Sequence, residues 1–176
     1  MGDDEMEKAH KHIGLFVAII VIVFSISFFN NYIGTCKSNI EKDARISQKI
    51  SDDWQVAKQT TETMSAMIFY DENLSDYTFS IYVKPKGLSL GYFFKYGGST
   101  GSIMESIAEV HMNGYNERAY ISMNKQQLSK VEIGNGKNTE IIKIDSRKPF
   151  ALILSVNIGV ATFYDINNNV VNPIPI

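Results

Sequence analysis

The 176-residue sequence predicts a mainly β protein, in which an antiparallel β-sandwich or jelly-roll-like domain is preceded by an N-terminal transmembrane helix and a helical stalk. Two observations lead to this prediction. Residues 13–29 carry no charge, and after Met64 the apolar residues change from a helical to an alternating period. We therefore divide the chain into a short polar tail (1–12), a transmembrane helix (13–33), a juxtamembrane stalk helix (34–63) and a β-rich extracytoplasmic domain (64–176).

The apolar segment reads IGLFVAIIVIVFSISFF from Ile13 to Phe29, and its only polar side chains are the small hydroxyls of Ser25 and Ser27. Extension through Ile33 gives about twenty residues, and a helix of that length, rising ~1.5 Å per residue, matches a hydrocarbon layer of ~30 Å. The segment therefore predicts a single-pass cell-membrane protein. Its first partner is the lipid bilayer, bound through residues 13–33.

The basic residues around this segment bear on its orientation. Lys8 and Lys11 precede it, but four basic residues follow between positions 37 and 49, so a simple count favours the C-terminal part inside. We favour the opposite orientation because the leading lysines lie close to the span and the following ones are spread along a predicted helix. The chain would then carry an uncleaved signal anchor, with its C-terminal domain outside the cytoplasm.

Cys36 is the single cysteine, which excludes an internal disulfide and a cysteine-based zinc site. The stretch from Ile33 to Cys36 has a weak similarity to the lipobox of bacterial lipoproteins. Thr35, however, stands where that motif has Gly, Ala or Ser. We expect a plain thiol at the membrane interface, with lipidation as the alternative.

Residues 37–63 contain no Gly or Pro, and their apolar positions recur at intervals of three and four, as in a helix. The stripe includes Ile40, Ala44, Ile50 and Trp54. This pattern predicts the stalk helix, with Trp54 as its contact to the domain. A self-associating stalk is the functional alternative.

Short alternating runs follow, separated by turn residues and without intervening helices. The predicted strands are 64–70, 77–83, 88–96, 103–112, 118–123, 130–133, 140–145, 150–156 and 160–164. Such spacing is typical of an antiparallel sandwich or jelly roll. The run 150–156, FALILSV, is apolar on both faces and is expected to lie at the centre, covered by the opposing sheet and by the stalk helix or a long loop. In 77–83, by contrast, Tyr82 lies on the more polar face and is expected near solvent.

Three aromatic residues are the predicted binding site. Tyr92, Phe94 and Tyr96 alternate along the strand 88–96, so they are expected to share one face. An exposed aromatic face could stack on sugar rings or anchor a protein partner, so we expect a protein or carbohydrate ligand here, with core packing as the alternative. The formal charge of −2 and the scattered lysines and arginines argue against nucleic acid.

No set of residues predicts catalysis, a metal or a cofactor, so we expect a protein that is not an enzyme. Asp165, Asn167 and Asn169 repeat the start of a calcium loop, but the Gly and Glu that complete such a loop are absent, so we expect a hairpin turn. His111 stands on a strand with Glu105 and Glu109 but without a nucleophile or a metal set. The glycine-rich stretch 97–101 lacks the Lys of a phosphate loop and is expected to be a flexible loop between strands.

These features lead to two hypotheses of function. In the first, a membrane-anchored β domain acts by binding or as part of an envelope assembly. In the second, the chain is a pilin-like subunit, because Lys11-His12-Ile13-Gly14 before Leu15-Phe16 resembles a prepilin leader. That resemblance implies an N-terminal helix that leads into a β-sheet head. Ile19 departs from the pattern, since most pilins carry a Glu at this position.

Overall fold

The computed structural model describes residues 3–29, 33–87, 90–134 and 139–176 and, within the N-terminal helix, the side chains of residues 12–26. The helices are α1 (Asp3–Phe29), α2 (Ile40–Gln48) and α3 (Gly101–Glu105), with 3-10 turns at Lys37–Asn39 and Val156–Ile158. The strands are β1 (Gln55–Thr60), β2 (Met64–Tyr70), β3 (Tyr77–Val83), β4 (Phe93–Gly98), β5 (Ala108–His111), β6 (Glu117–Ser122), β7 (Leu128–Gly134), β8 (Thr139–Lys143), β9 (Phe150–Ser155), β10 (Val160–Asp165), β11 (Val170–Val171) and β12 (Ile174–Pro175).

The strands form three four-stranded sheets, which confirms a mainly β protein. The first sheet has the order β1-β2-β3-β4, the middle sheet β12-β5-β6-β9 and the outer sheet β11-β10-β7-β8. The strand pairs are antiparallel except β5 with β12, where the C-terminal residues add a short parallel strand at an edge of the middle sheet. Pro175 is tolerated there because an edge strand leaves one side unpaired.

The three sheets are stacked, and each interface has its own apolar core. The first and middle sheets enclose a cluster that includes Ile68, Ile81 and Ile121. The opposite face of the middle sheet packs on the outer sheet through Tyr120, Leu154 and Phe163, with the rings of Tyr120 and Phe163 centred 5.0 Å apart. The arrangement is consistent with a β-sandwich extended by a third sheet.

A stalk helix over 34–63 is a wrong prediction. The α-helix covers only Ile40–Gln48 and ends where Lys49 adopts a left-handed conformation with φ 55°. Residues 55–60 form β1, which pairs with all of β2 from Gln55 opposite Tyr70 to Thr60 opposite Ser65. Because both neighbouring segments can pair as a hairpin, the weak helical stripe gives way to strand after residue 54. The folded domain therefore begins well before Met64.

Helix α2 covers the outward face of the first sheet. Ile40 and Ala44 are buried against Met67, Phe69 and Tyr82. The expectation that Tyr82 lies near solvent is therefore wrong: its side chain is fully buried, because the face that looks half-polar in sequence is roofed by this helix. Strands β2 and β3, rather than β9, are the most completely buried strands of the described domain.

Strand β9 is an edge strand of the middle sheet, so its predicted central position is wrong. It does pack on both faces, but against two sheets rather than against a stalk helix or a loop. Ile153 faces the core shared with the first sheet, and Leu154 faces the core shared with the outer sheet. Gln59 closes the edge of β9, since its side-chain oxygen accepts a hydrogen bond from the Ile153 amide at 2.7 Å.

The predicted strand 103–112 is also wrong in its first half. Residues 101–105 form α3, and only Ala108–His111 form a strand. Ile103 is the reason: its buried side chain joins the core between the first and middle sheets, and its carbonyl accepts a hydrogen bond from the Met123 amide at 2.9 Å. The glycine-rich stretch 97–101 is therefore not a loop between two strands, since Gly97 and Gly98 end β4 and Gly101 begins α3.

Helix α1 runs from Asp3 to Phe29, so it includes most of the predicted polar tail and ends before Ile33, the predicted end of the transmembrane helix. Its described side chains, residues 12–26, are apolar on all sides apart from His12 and Ser25. Its large apolar side chains between Ile13 and Ile26 are 41–67% exposed. Within the described residues, no helix is both long enough and apolar enough to cross a membrane.

Candidate functional site

Tyr92 is buried and does not contribute to an exposed aromatic face. Its backbone pairs with Thr35, and its hydroxyl donates a hydrogen bond to the carbonyl oxygen of Thr61 at 2.6 Å. Its ring packs in the core beneath α2. Tyr92 therefore ties the segment that precedes α2 to the first sheet, which is a structural role that the alternation of residues could not reveal.

Phe94 and Tyr96 are exposed, but they lie on opposite faces of the first sheet. The register shifts between Ile81 and Tyr82, so that Phe94 stands opposite Tyr82 and Tyr96 opposite Ile81. An extra residue in one strand breaks its alternation. Phe94 consequently meets the Tyr82 ring edge-on at 5.6 Å on the side of α2, whereas Tyr96 faces the side of the middle sheet. The prediction that the three aromatic residues share one face is wrong.

Tyr96 stands at the rim of a hollow of about 250 Å³ between β4 and the C-terminal strand β12. The hollow is lined by Phe79, Tyr96, Gly97, Gly98, Ser99, Thr100, Val110 and Ile176. Gly98 leaves room for it, since no atom lies within 4 Å of the place where a side chain on Gly98 would begin. Its lining is largely apolar, with Tyr96 53% exposed at the entrance.

One polar atom in this hollow has no partner among the described residues. The Thr100 hydroxyl oxygen is buried and makes no hydrogen bond there, whereas the Thr100 carbonyl accepts one from the Tyr77 hydroxyl. A buried hydroxyl without a partner costs free energy unless something else supplies the hydrogen bond. The hollow therefore combines an aromatic rim with an apolar floor, and one of the residues that line it carries a buried hydroxyl without a partner. Small binding sites are usually apolar with a few polar groups.

Strand β4, which borders the hollow, is also the edge of the first sheet. Phe94, Lys95, Tyr96 and Gly97 are exposed in succession. An edge strand presents unpaired backbone groups, and a second extended chain can pair with them. We call β4 together with the hollow the β4 edge site.

A second cavity, of about 420 Å³, opens between the middle and outer sheets near the start of β10. Arg118 and Glu109 form an ion pair there at 2.8 Å, beside the hydroxyl-bearing side chains of Tyr120 and Ser155. Burial raises the pKa of Tyr120, and the Glu109 carboxylate adds to this effect, so the phenol stays neutral. The ion pair balances the two charges, but the Arg118 Nε is buried and makes no hydrogen bond with the described residues.

The remaining sequence candidates do not come together as a site among the described residues. Glu109 and His111 lie on β5, but Glu105 lies in α3, so the three do not form one row. The Asp165 carboxylate accepts hydrogen bonds from the amides of Asn167 and Asn169, both at 2.8 Å, and these bonds hold a hairpin turn. The Asn169 side chain and amide hold the pKa of Asp165 below its usual value. The described residues contain no group of three or more His, Cys, Asp or Glu that could hold a metal ion.

Sequence reasoning missed Arg118, Thr100 and the hollow itself. The ion pair depends on the register between β5 and β6, and the hollow depends on the C-terminal residues returning beside β5; neither is a local pattern.

Comparison of this chain with protein-family models, curated proteins and solved structures gave no significant match.

Proposed function

We propose that this protein is a single-pass membrane protein that presents its stacked β domain outside the cytoplasm and acts by binding. Helix α1 carries the proposal. A helix that is apolar all round belongs either in a protein core or in a membrane. The described side chains of α1 remain largely exposed, and its residues are absent from the three core clusters of the described chain. Lipid is the environment that covers such a surface.

The proposed span begins at residue 13 and continues to the end of α1 at Phe29, because Ile33, the end predicted from the sequence, is already paired with Leu90. Residues 12–26 alone, at ~1.5 Å per residue, extend over roughly 22 Å, which is short of the ~30 Å hydrocarbon layer. The sequence that follows is also uncharged through Ile33. The orientation rests on Lys8 and Lys11, which precede the span at short distance.

Membrane fractionation of the full chain tests the anchor. The unaltered protein is expected to stay in the membrane pellet after an alkaline carbonate wash. Replacing Ile20 and Val23 with Arg should release it, since each Arg near a span's centre costs about 2.5–3.5 kcal/mol on the insertion scale. Ile46→Arg is the control, because Ile46 is an exposed isoleucine on a helix outside the proposed span, α2. Release of the unaltered chain, or equal behaviour of all three proteins, would refute the anchor.

For the binding role, the β4 edge site is the surface that the geometry supports best. Its free strand edge fits an extended polypeptide segment, the Tyr96 ring provides an anchor, and the hollow beside it accommodates one side chain. A photoreactive amino acid at position 96 of the full chain should form a discrete cross-link in intact cells. The control position is Ile141, which is comparably exposed on β8, the edge strand of another sheet. Equal labelling at both positions would contradict a specific site.

The pilin-like plan remains the second candidate, because one observation favours it: a helix, α2, packs on an antiparallel meander of four strands. The connection differs from that plan, however. Ile33 and Thr35 form β-bridges with Leu90 and Tyr92, so the chain is extended shortly before α2. The N-terminus of the membrane-extracted protein separates the two candidates. Cleavage after Gly14 would support the pilin-like subunit, whereas an intact tail supports the anchored domain.

A further inference from the structure

The end of the β domain that lies nearest the anchor is fixed by the chain itself. Helix α1 ends at Phe29, and Ile33 is already paired with Leu90. Four residues span at most ~14 Å even when fully extended. This end of the domain is therefore held within that distance of the last turn of α1.

Hydrogen bonds show which other segments lie at the same end. The Tyr92 hydroxyl reaches the carbonyl of Thr61 in the β1–β2 turn, and the Glu117 carboxylate accepts hydrogen bonds from the hydroxyls of Thr61 and Thr63. Glu117 begins β6, and its neighbour Asn116 accepts a hydrogen bond from the amide of Val156 at 2.9 Å. We call the surface formed by residues 33–37, 61–63, 84–87, 90–92, 112–117 and 156–160 the anchor-proximal end.

This end exposes large apolar side chains in two separate loops. Leu90 is 67% exposed in the segment before β4, and Val160 is 74% exposed at the start of β10, with the exposed Ile158 beside it. The two loops belong to the first and outer sheets, so they lie on either side of the middle sheet. Apolar side chains on loop tips are costly in water, and they become favourable where a bilayer covers them.

The charges at this end match a membrane surface. Lys84 and Lys86 flank Pro85 on the exposed loop after β3, and neither forms an ion pair with the described residues. Lys37 is paired with Glu62, and Arg118 with Glu109. The Glu117 carboxylate accepts hydrogen bonds from the hydroxyls of Thr61 and Thr63. Lysines can extend their charged ends toward lipid phosphates while their stems remain near the apolar layer.

We infer that the anchor-proximal end rests on the bilayer, with Leu90, Ile158 and Val160 in the boundary between headgroups and acyl chains and with Lys84 and Lys86 facing the phosphates. This second membrane contact rests on the proposed anchor. It would fix the orientation of the β domain on the membrane rather than leave it free on a tether. Strand β4 would then lead away from the membrane surface, with Phe93 at its membrane end and the hollow toward its other end, where Gly98 pairs with Phe79.

Quenching of tryptophan by brominated lipid tests this contact in the full chain. The protein is reconstituted into vesicles of phosphatidylcholine and phosphatidylglycerol whose acyl chains carry bromine close to the headgroup. Leu90→Trp and Val160→Trp place reporters at the anchor-proximal end. Ile166→Trp is the matched control, because Ile166 is 51% exposed just beyond the other end of β10, roughly 20 Å away at ~3.4 Å per residue. The native Trp54 lies just before β1, at the end of the domain opposite the anchor-proximal end, since the first residue of β1 pairs with Tyr70. The emission of Trp54, measured in the unaltered chain, is subtracted from that of each variant.

The two anchor-proximal reporters are expected to lose several-fold more emission than the Ile166→Trp control. Equal, weak quenching of all three reporters, in protein that resists the carbonate wash, would overturn the inference and leave the anchor intact. Protein that the wash removes from the vesicles would overturn the anchor, and the second contact with it. The two failures are therefore distinguishable in the same preparation.

Discussion

Tyr82 offers the sharpest test of the packing described above. Its side chain is fully buried between the first sheet and α2, and its hydroxyl donates a hydrogen bond to the Asp43 carboxylate at 2.7 Å. Tyr82→Ala would empty an aromatic site, which typically costs about 3–5 kcal/mol, and would also remove that hydrogen bond. Leu152 is only half-buried at the rim of the core between the middle and outer sheets. Leu152→Ala should therefore cost about 2 kcal/mol, the lower limit for such truncations.

The two contributions of Tyr82 can be separated. Tyr82→Phe keeps the ring and its edge-on contact with Phe94 but loses the bond to Asp43. Because Asp43 is half-exposed and water can take over part of this bond, the expected loss is about 1–2 kcal/mol. The assay is denaturant unfolding of residues 33–176, with the free energy of unfolding extrapolated to water. The reasoning fails if Leu152→Ala costs as much as Tyr82→Ala, because the face beneath α2 would then not be part of the core.

The remaining predictions concern the extent of the domain, its response to high pH and its response to calcium. Residues 33–176 should unfold cooperatively without α1. A fragment starting at residue 61 should not, because it lacks β1 and also α2, which covers Phe69 and Tyr82. Thermal melts followed by circular dichroism compare the two fragments, and a cooperative melt of the shorter one would contradict the fold. Burial of the Tyr82 phenol, together with the neighbouring Asp43 carboxylate, raises the pKa of Tyr82 above its usual 10.0. The neutral phenol therefore contributes its full stabilisation below pH 10, and this stabilisation is lost as the pH rises through the folded-state pKa. Tyr82→Phe should therefore lose stability less steeply above pH ~10 than the parent, and identical slopes would argue against a buried phenol. Calcium should leave the melting temperature unchanged, because the Asp165 carboxylate already accepts hydrogen bonds from the Asn167 and Asn169 amides. A rise in melting temperature with added calcium would contradict the interpretation of residues 165–169 as a hairpin turn.

Local patterns in the sequence predicted the strands that pair with sequence neighbours. The runs 64–70 and 77–83 coincide with β2 and β3, and the acidic turn between them is held by the Asp71 carboxylate, which accepts a hydrogen bond from the Ser75 amide at 2.7 Å. Such turns and alternations are short-range, so one sequence is enough to read them.

The features that were missed depend on contacts between distant residues. Whether the Tyr82 face meets solvent depends on where α2 docks, and α2 lies about forty residues earlier in the chain. The aromatic site failed for a related reason, since the bulge opposite Ile81 and Tyr82 changes which way Phe94 and Tyr96 point. The register of paired strands is a tertiary property, and the residue pattern of one strand does not specify it.

One measurement tests the central claim most directly, because it requires both the anchor and its orientation. Cys36 is the single cysteine of the chain, and it is exposed just beyond the proposed span. Intact cells are treated with a maleimide that cannot cross membranes, their membranes are washed with alkaline carbonate, and the label is then measured in the pellet and in the wash. The account predicts labelled protein in the pellet from intact cells. Labelling that appears only after permeabilisation would contradict the orientation, and labelled protein in the wash would contradict the membrane anchor.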